Sequence, residues 1–229
     1  MYKRQQDRLP ARGRGVGATP LTPDQVAGLG VALNEADWHD LTVDEPAATV
    51  DVLLTVLSRD DDGHETDDPR RTLRLTGVSR IAASYRAGTF DDAHAPVIPL
   101  DLEGLDRLLR RHGGGPVYGW EFVDTGRSAR SWEHRLSLDL TLSGPGGHHL
   151  TLFQDLGGVH HLDLRVWFAD VSVLDGAGHR LDLDGFIAGG RRWWEAMYAG
   201  ERSHLAPSIV ATAPERPPRW WHRFRRTAR

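Results

Sequence analysis

Alternating apolar and polar positions predict that much of the chain folds as β-strands. Residues 50–57 have one continuous apolar face and a second, partly apolar face, which predicts a central strand. From His134 to Leu142, leucines alternate strictly with polar residues, which predicts a half-buried strand with one solvated face. Leu162, Leu164, Val166 and Phe168 form one face of a further strand, which is predicted to continue through Val171 and Val173 to a glycine-containing turn.

Helix-start residues stand between these predicted strands. Thr22 precedes a proline, and a threonine N-cap followed by proline in the first turn predicts a short helix. Asp101 and Asp184 each precede apolar residues at helical spacing, so both are predicted to cap a helix. The predicted helices cover residues 22–33, 102–112 and 185–199.

The order of these elements is similar in the two halves of the chain. Residues 50–57 correspond to 136–142, and residues 73–81 correspond to 162–171, at offsets of 86 and of 89 to 90 residues. In each half, Leu-Asp and a predicted helix follow. This order predicts a duplication of one β-rich unit about a pseudo-twofold axis, although a general strand–strand–helix order would produce the same similarity.

The fold class predicted from these elements is α+β with mostly antiparallel strands, in two similar β-rich halves that are each closed by a helix. The globular domain is predicted to cover residues 22–205, with repeats at 36–112 and 117–200. A basic, flexible N-terminus covers residues 1–21. A tail rich in proline, arginine and tryptophan covers residues 206–229.

Composition limits the chemistry that the chain can support. Hydrophobic residues make up 39% and charged residues 26%, without a long apolar run or a secretory leader, which predicts a soluble cytoplasmic protein. The chain has no cysteine, so disulfides, thiol nucleophiles and cysteine-ligated metals are excluded. The single lysine, Lys3, argues against P-loop and Schiff-base chemistry.

Charge is distributed unevenly along the chain. Residues 1–14 carry +4 and residues 213–229 carry +5, so the net charge of −4 leaves −13 on the body between them. A body of this charge is predicted not to bind nucleic acid. The acidic stretch 59–71 is predicted to be a solvated loop. It does not fit a calcium loop that starts at Asp60, because the sixth position is Glu65 where that motif requires glycine.

The C-terminal tail combines aromatic and basic residues. On a helix its aromatic residues would lie beside a basic stripe, a pattern that suits an anionic membrane or an acidic surface. The alternatives are a disordered tail without a partner and a tail docked on the acidic body. The predicted contact residues are Arg219, Trp220, Trp221, Arg223, Phe224 and Arg226.

Histidines are the most abundant versatile groups, with 12 in the chain. His161 and Asp163 are two residues apart in a predicted strand and therefore share a face. A hairpin could bring His149 to them and form an open metal site or the centre of a small acid–base hydrolase. The competing interpretation is that all three are solvated residues of a polar strand face. We therefore predict no metal, no cofactor and no catalytic residue.

Tryptophans are concentrated in the second half of the chain. Tryptophans usually pack in a core or at its rim. The alternative is that Trp120, Trp132 and Trp167 form a cleft that binds a ligand or peptide. We predict a non-enzymatic binding or regulatory module that uses this cleft, or a sheet edge, to hold a protein partner. The prediction leans against an enzyme and leaves the oligomeric state open.

Three segments carry a resemblance to known sequences: residues 117–123, residues 162–168 and residues 186–194. With these segments and its strong preference for arginine over lysine, the chain resembles an uncharacterised family of actinomycete proteins over residues 30–200. The resemblance implies no activity, so no catalytic residue is carried over from it.

Overall fold

The computed structural model describes residues 21–89, 92, 94–112, 115–116, 120–121 and 135–207. Three helices and ten strands lie in these ranges. The helices are α1 (Pro23–Ala32), α2 (Leu102–His112) and α3 (Leu183–Tyr198). The strands are β1 (Asp37–Asp44), β2 (Thr49–Thr55), β3 (Arg70–Thr76), β4 (Arg80–Ala87), β5 (Gly115–Pro116), β6 (Trp120–Glu121), β7 (Leu138–Thr141), β8 (His148–Asp155), β9 (His160–Phe168) and β10 (Asp170–Leu174).

The strands form two antiparallel sheets, which confirms the predicted α+β class. Sheet 1 has the order β10-β3-β2-β1-β5, and sheet 2 has the order β6-β8-β9-β4-β7. The prediction that residues 50–57 form a central strand is confirmed, because β2 is the middle strand of sheet 1. Only one face of β2 is buried: Val50, Val52 and Leu54 are fully buried, whereas Leu53 is 36% exposed.

One hydrophobic core lies between the two sheets. Sheet 1 contributes Val52 and Leu75 to it, and sheet 2 contributes Leu152 and Leu164. Helix α2 packs beside β1 and adds Leu105 to the same core. Because side chains alternate along a strand, each sheet also has an outer face that points away from this core.

The chain changes sheets at a corner formed by two close residues. The predicted single strand over 162–173 is wrong, because β9 ends at Phe168 in sheet 2 and β10 continues in sheet 1. The intervening Ala169 donates its N–H to the Thr76 carbonyl at 2.9 Å. It lies against Gly77, which turns the chain from β3 into β4 with a φ of 63°.

The strand orders of the two sheets can be compared with the predicted repeat. Four strands of each sheet can be matched in order. If β1, β2, β3 and β4 are replaced by β6, β8, β9 and β10, and β10 is replaced by β4, the order β10-β3-β2-β1 of sheet 1 becomes the order β4-β9-β8-β6 of sheet 2. Under this exchange β8, and not β7, takes the place of β2, so the strand orders contradict the predicted correspondence of residues 50–57 with 136–142. Residues 138–141 form the edge strand β7, and residues 136–137 precede it. The duplication itself stays a prediction.

The helix starts follow local capping chemistry. Thr22 and Gln25 form the two hydrogen bonds of a capping box at the start of α1. Asp101 accepts the N–H of Gly104 at 2.6 Å, which confirms it as the α2 cap. The cap predicted at Asp184 is wrong: Asp182 accepts the N–H of Gly185 at 2.8 Å, and Asp184 lies inside the first turn of α3.

Helices α1 and α3 pack against each other and against the chain that follows α3. Trp193 and Met197 form a second buried cluster with Leu57 and Val31. Ala206 is 8% exposed and belongs to the same cluster, so the body extends at least one residue beyond the predicted boundary at 205. Among the residues that the structure describes, no helix is long and apolar enough to cross a membrane.

Candidate functional site

The outer face of sheet 2 carries most of the polar side chains that sequence analysis singled out. Residues paired across antiparallel strands share a face, and the pairing of β4, β8 and β9 brings several cross-strand rows of side chains to this one. These rows include Arg80, Ser84, Arg86, His149, His161, Asp163, Arg165 and Trp167. Outer faces of sheets are usually solvated, but Ser84, Arg86, His149 and His161 are all buried here.

The register brings together only part of the predicted histidine site. His161 and Asp163 share the outer face of β9, as predicted. His149 pairs with Trp167, whereas the residue opposite His161 is Asp155. Six residues of strand separate these two pairs, which places His149 about 20 Å from His161. The predicted set of His149, His161 and Asp163 is therefore wrong as a metal or hydrolase centre.

A different group of potential metal ligands lies in the acidic loop. Within the described ranges, the side chains that approach one another in ligand geometry are Asp60, Asp62 and His64, and all three are exposed. Exposed acidic groups of this kind are common on protein surfaces. This group therefore carries no functional argument.

The orientation of His161 is fixed by the backbone. Its Nδ1 lies 3.1 Å from the carbonyl oxygen of Gly88, and a carbonyl can only accept, so Nδ1 carries the proton. In the neutral ring, Nε2 then presents its lone pair. This Nε2 atom is buried and has no hydrogen-bond partner in the described part of the chain.

Asp163 lies beside Arg86, which is positively charged, and Ser84, which is polar; both belong to β4. Its carboxylate accepts a hydrogen bond from Arg86 Nη2 at 3.2 Å, and Ser84 is its partner on β4. Burial raises the pKa of Asp163 above its ordinary value, because the charges of Arg86 and His161 offset only part of the lost hydration. Ser84 Oγ and Arg86 Nε are buried without a hydrogen-bond partner among the described residues. We call Ser84, Arg86, His161 and Asp163 the buried polar cluster.

Trp167 is the centre of a second group at the other end of the same face. The Arg80 guanidinium lies 5.1 Å from the centroid of its ring, in cation–π geometry. The His149 ring stacks on it at 5.6 Å with an interplanar angle of 24°. We call Arg80, His149 and Trp167 the Trp167 stack. The Trp167 side chain is partly exposed.

The rest of the predicted cleft and the predicted tail contacts are only partly visible. Trp132 lies outside the described residues. Trp120 is described by its backbone, which pairs with Leu152 of β8. The six tail residues from Arg219 to Arg226 also lie outside the described residues, so their predicted surface contact stays a prediction.

Sequence analysis missed the contribution of β4. Arg80, Ser84 and Arg86 alternate with core residues along this strand, and this alternation was a usable signal for one polar face. The register of β8 and β9 was also readable in principle. Gly157-Gly158 marks the hairpin turn, and a turn at this position sets Asp155 opposite His161.

Comparison with protein-family models, with curated proteins and with solved structures found no match to the chain. The resemblance to actinomycete proteins therefore stays a prediction.

Proposed function

We propose that this chain is a binding module that holds a protein partner on the outer face of sheet 2. The Trp167 stack is the observation that supports this proposal. Tryptophan and arginine are the side chains that most often dominate the binding energy of protein interfaces. Here a partly exposed tryptophan lies between a guanidinium and an imidazole on a sheet face.

The stack is held in place before any partner binds. The Arg80 guanidinium donates two hydrogen bonds to the carboxylate of Asp139 on β7, at 2.6 and 2.9 Å. This bidentate contact fixes the guanidinium over the Trp167 ring. A surface whose side chains are already ordered loses less conformational entropy on binding, which favours affinity.

The buried polar cluster lies in the same sheet but is covered. Ser84 Oγ, Arg86 Nε and His161 Nε2 have hydrogen-bonding capacity that the described chain does not use. Buried polar atoms normally find a partner, because leaving them without one costs free energy. Because these atoms are shielded from solvent, they do not contact a partner on the surface, and the Trp167 stack carries the proposed contact.

Sequence analysis also named a sheet edge as the binding surface, but the described edges are less suited to a partner than the outer face of sheet 2. Strand β10 is an edge strand of sheet 1, but Leu181 N–H already donates to the Val173 carbonyl at 2.8 Å on that edge. Strand β7, which is an edge strand of sheet 2, is only four residues long. Neither offers the long unpaired strand that strand addition requires.

Site-specific photo-crosslinking in the native host tests this proposal. A photoreactive amino acid replaces Thr141, which is exposed and belongs to the same cross-strand row as Arg80 and Trp167. The matched control places the same amino acid at Leu53, which is exposed on the outer face of sheet 1. We expect a discrete protein adduct from position 141 that Trp167→Ala abolishes. No adduct, or the same adduct from position 53, would overturn the proposal.

A cytoplasmic location belongs to this proposal. Its support is the cysteine-free composition of a chain that has no need of an oxidising compartment.

A second candidate function is an acid–base hydrolase centred on His161 and Asp163. Its support is the oriented imidazole of His161 next to a carboxyl group whose pKa burial raises. Hydrolysis of p-nitrophenyl acetate and p-nitrophenyl phosphate is the test. Activity that Asp163→Asn removes and Trp167→Ala leaves unchanged would favour the hydrolase. Absence of turnover by the wild type would exclude it for these two ester classes.

A further inference from the structure

A pocket of about 310 Å³ lies between the acidic loop and helix α3, away from the outer face of sheet 2. The loop contributes residues 58–61 and Thr66, and Arg71 follows at the start of β3. The first half of α3 forms the opposite wall. Three guanidinium groups, those of Arg59, Arg71 and Arg192, line this single pocket.

Two of the three arginines already have a carboxylate partner. Arg59 Nη1 lies 2.6 Å from the carboxylate of Glu201, and Arg192 Nη2 lies 2.9 Å from that of Asp61. Arg192 also donates to the carbonyl of Arg59 at 3.0 Å. Both guanidinium groups therefore already donate to acceptors of the chain itself.

Arg71 differs from both, because its hydrogen bonds go to uncharged groups. Its Nη1 donates to the carbonyls of Asp68 and Arg70, each at 2.7 Å. Its Nε is buried without a hydrogen-bond partner in the described chain. Burial lowers the pKa of Arg71 from its ordinary value, against the attraction of Asp68 and Asp175, but the guanidinium remains charged at neutral pH. The pocket thus contains a half-buried cation without a bound counter-charge.

The carboxylates that line the pocket are committed elsewhere. Asp61 is paired with Arg192. Asp182 caps α3 through the N–H of Gly185, and Asp60 accepts the N–H of His64 at 2.8 Å. Asp182 and Gly185, at the start of α3, also line the pocket, and a helix N-terminus carries partial positive charge.

We infer that this pocket binds a small oxyanion, the phosphate or carboxylate group of a ligand, on the guanidinium of Arg71. Nη1 donates to carbonyls and Nε is shielded from solvent, so Nη2 is the group left to donate to an oxygen of the anion. A volume of about 310 Å³ accommodates such a group with part of the molecule that carries it. This inference does not depend on the proposed partner at the Trp167 stack.

Side-chain NMR of the full-length ¹⁵N-labelled protein tests the inference directly. The Nε–H signals of Arg70 and Arg71 are followed during titration with sodium phosphate, sodium acetate and, at matched ionic strength, sodium chloride. We expect the Arg71 signal to shift and saturate with phosphate or acetate while the Arg70 signal does not. Saturation by one anion and not by the other identifies the group as phosphate or carboxylate.

Two variants separate a specific site from general electrostatic attraction. Arg71→Gln removes the proposed contact, and we expect backbone shifts around the pocket to need at least a tenfold higher anion concentration. Arg70→Gln is the matched control, since its guanidinium is exposed and paired with Asp68. Equal weakening by both substitutions, or identical non-saturating shifts with all three salts, would overturn the inference. If Arg71→Gln does not fold, the wild-type titration of the two Nε–H signals still decides the question.

Discussion

The carboxylate of Glu65, in the middle of the acidic loop, accepts a hydrogen bond from the indole Nε1 of Trp193 in α3 at 3.0 Å. Its second oxygen accepts the N–H of His204 at 3.0 Å and lies 2.6 Å from His204 Nδ1. The Glu65 side chain is only 3% exposed. One carboxylate therefore joins the loop, the helix and the chain that follows the helix.

Replacing this carboxylate should destabilise the fold. Glu65→Gln removes the charge and turns an NH₂ group toward donors that need an acceptor. A buried donor left without its acceptor costs about 1–3 kcal/mol. Urea denaturation at pH 7 should show a loss in this range. Asp62→Asn, an exposed position in the same loop, is the control and should change stability by less than about 0.5 kcal/mol.

The contribution of Glu65 should depend on pH. Burial raises the pKa of this carboxyl group, but hydrogen bonds from Ser203, His204 and Trp193, with the charge of His204, outweigh burial and lower the pKa below 4.5. The stabilisation is therefore complete above the pKa of the unfolded chain and is lost as the pH falls through the lower pKa of the folded state. The difference between wild type and Glu65→Gln should shrink from pH 6 to pH 3. A constant difference would contradict this assignment.

The corner at Gly77 should tolerate no side chain. A Cβ at Gly77 would lie 2.7 Å from the Cβ of Ala169, and the φ of 63° is itself unfavourable for alanine. Gly178 has a φ of 87° but open space around it, so Gly178→Ala measures the backbone strain alone. We expect that strain to cost about 1–2 kcal/mol and Gly77→Ala to cost about 1–3 kcal/mol more. Equal losses in thermal denaturation would show that the contact with Ala169 is unimportant.

Features that depend on neighbouring residues could be predicted from the sequence. The cap at Thr22 needs only Pro23 and Gln25, and the position of β2 follows from its own apolar pattern. Likewise, the shared face of His161 and Asp163 follows from the two-residue period of a strand. All three predictions are confirmed.

Features set by contacts between distant segments could not be predicted in this way. The apolar positions shift from even numbers in β9 (Leu162 to Phe168) to odd numbers in β10 (Val171 and Val173), which marks a break that the single-strand prediction overlooked. That the chain also changes sheets depends on the pairing of β10 with the distant strand β3. Glu65 and Trp193 are 128 residues apart, and neither position has a distinctive motif. The prediction of the α3 cap failed for another reason. Asp182 and Asp184 are both suitable N-cap residues, and the helix begins after Asp182.

Gly30 of α1 and Gly190 of α3 should respond in opposite ways to alanine. Gly190 approaches α1 so closely that a Cβ would lie 2.5 Å from the Cα of Ala32, whereas a Cβ at Gly30 would meet nothing within 4 Å. Alanine is favoured over glycine in a helix by about 1 kcal/mol. Gly30→Ala should therefore stabilise the protein by about 0.5–1 kcal/mol. Gly190→Ala should destabilise it, because overpacking costs about 1–3 kcal/mol. Calorimetric melting temperatures that move in the same direction would contradict this contact.

Removing Arg86 from its ion pair with Asp163 should lower the free energy of unfolding, because it leaves a partly buried carboxylate without its charged partner. Arg86→Met leaves the Asp163 carboxylate without its charged donor, and such a change costs about 3–5 kcal/mol in a protein interior. Since the Asp163 side chain is 21% exposed, we expect about 3 kcal/mol at pH 7. The double variant Arg86→Met with Asp163→Asn removes the isolated charge and should recover at least about 1 kcal/mol of that loss.

The pH dependence of the Arg86→Met effect tests the same pair by another route. The folded-state pKa of Asp163 is already raised by burial, and the Arg86 charge lowers it. Removing Arg86 raises this pKa further, so the folded state loses more stability as the pH rises from 4 to 7. The loss caused by Arg86→Met should therefore be smaller at pH 4 than at pH 7. Arg80→Met, which breaks the more exposed Arg80–Asp139 pair on the same face, should cost less than about 1 kcal/mol. An Arg86→Met loss that is equal at both pH values would mean that its cost comes from lost packing and not from the charge left on Asp163.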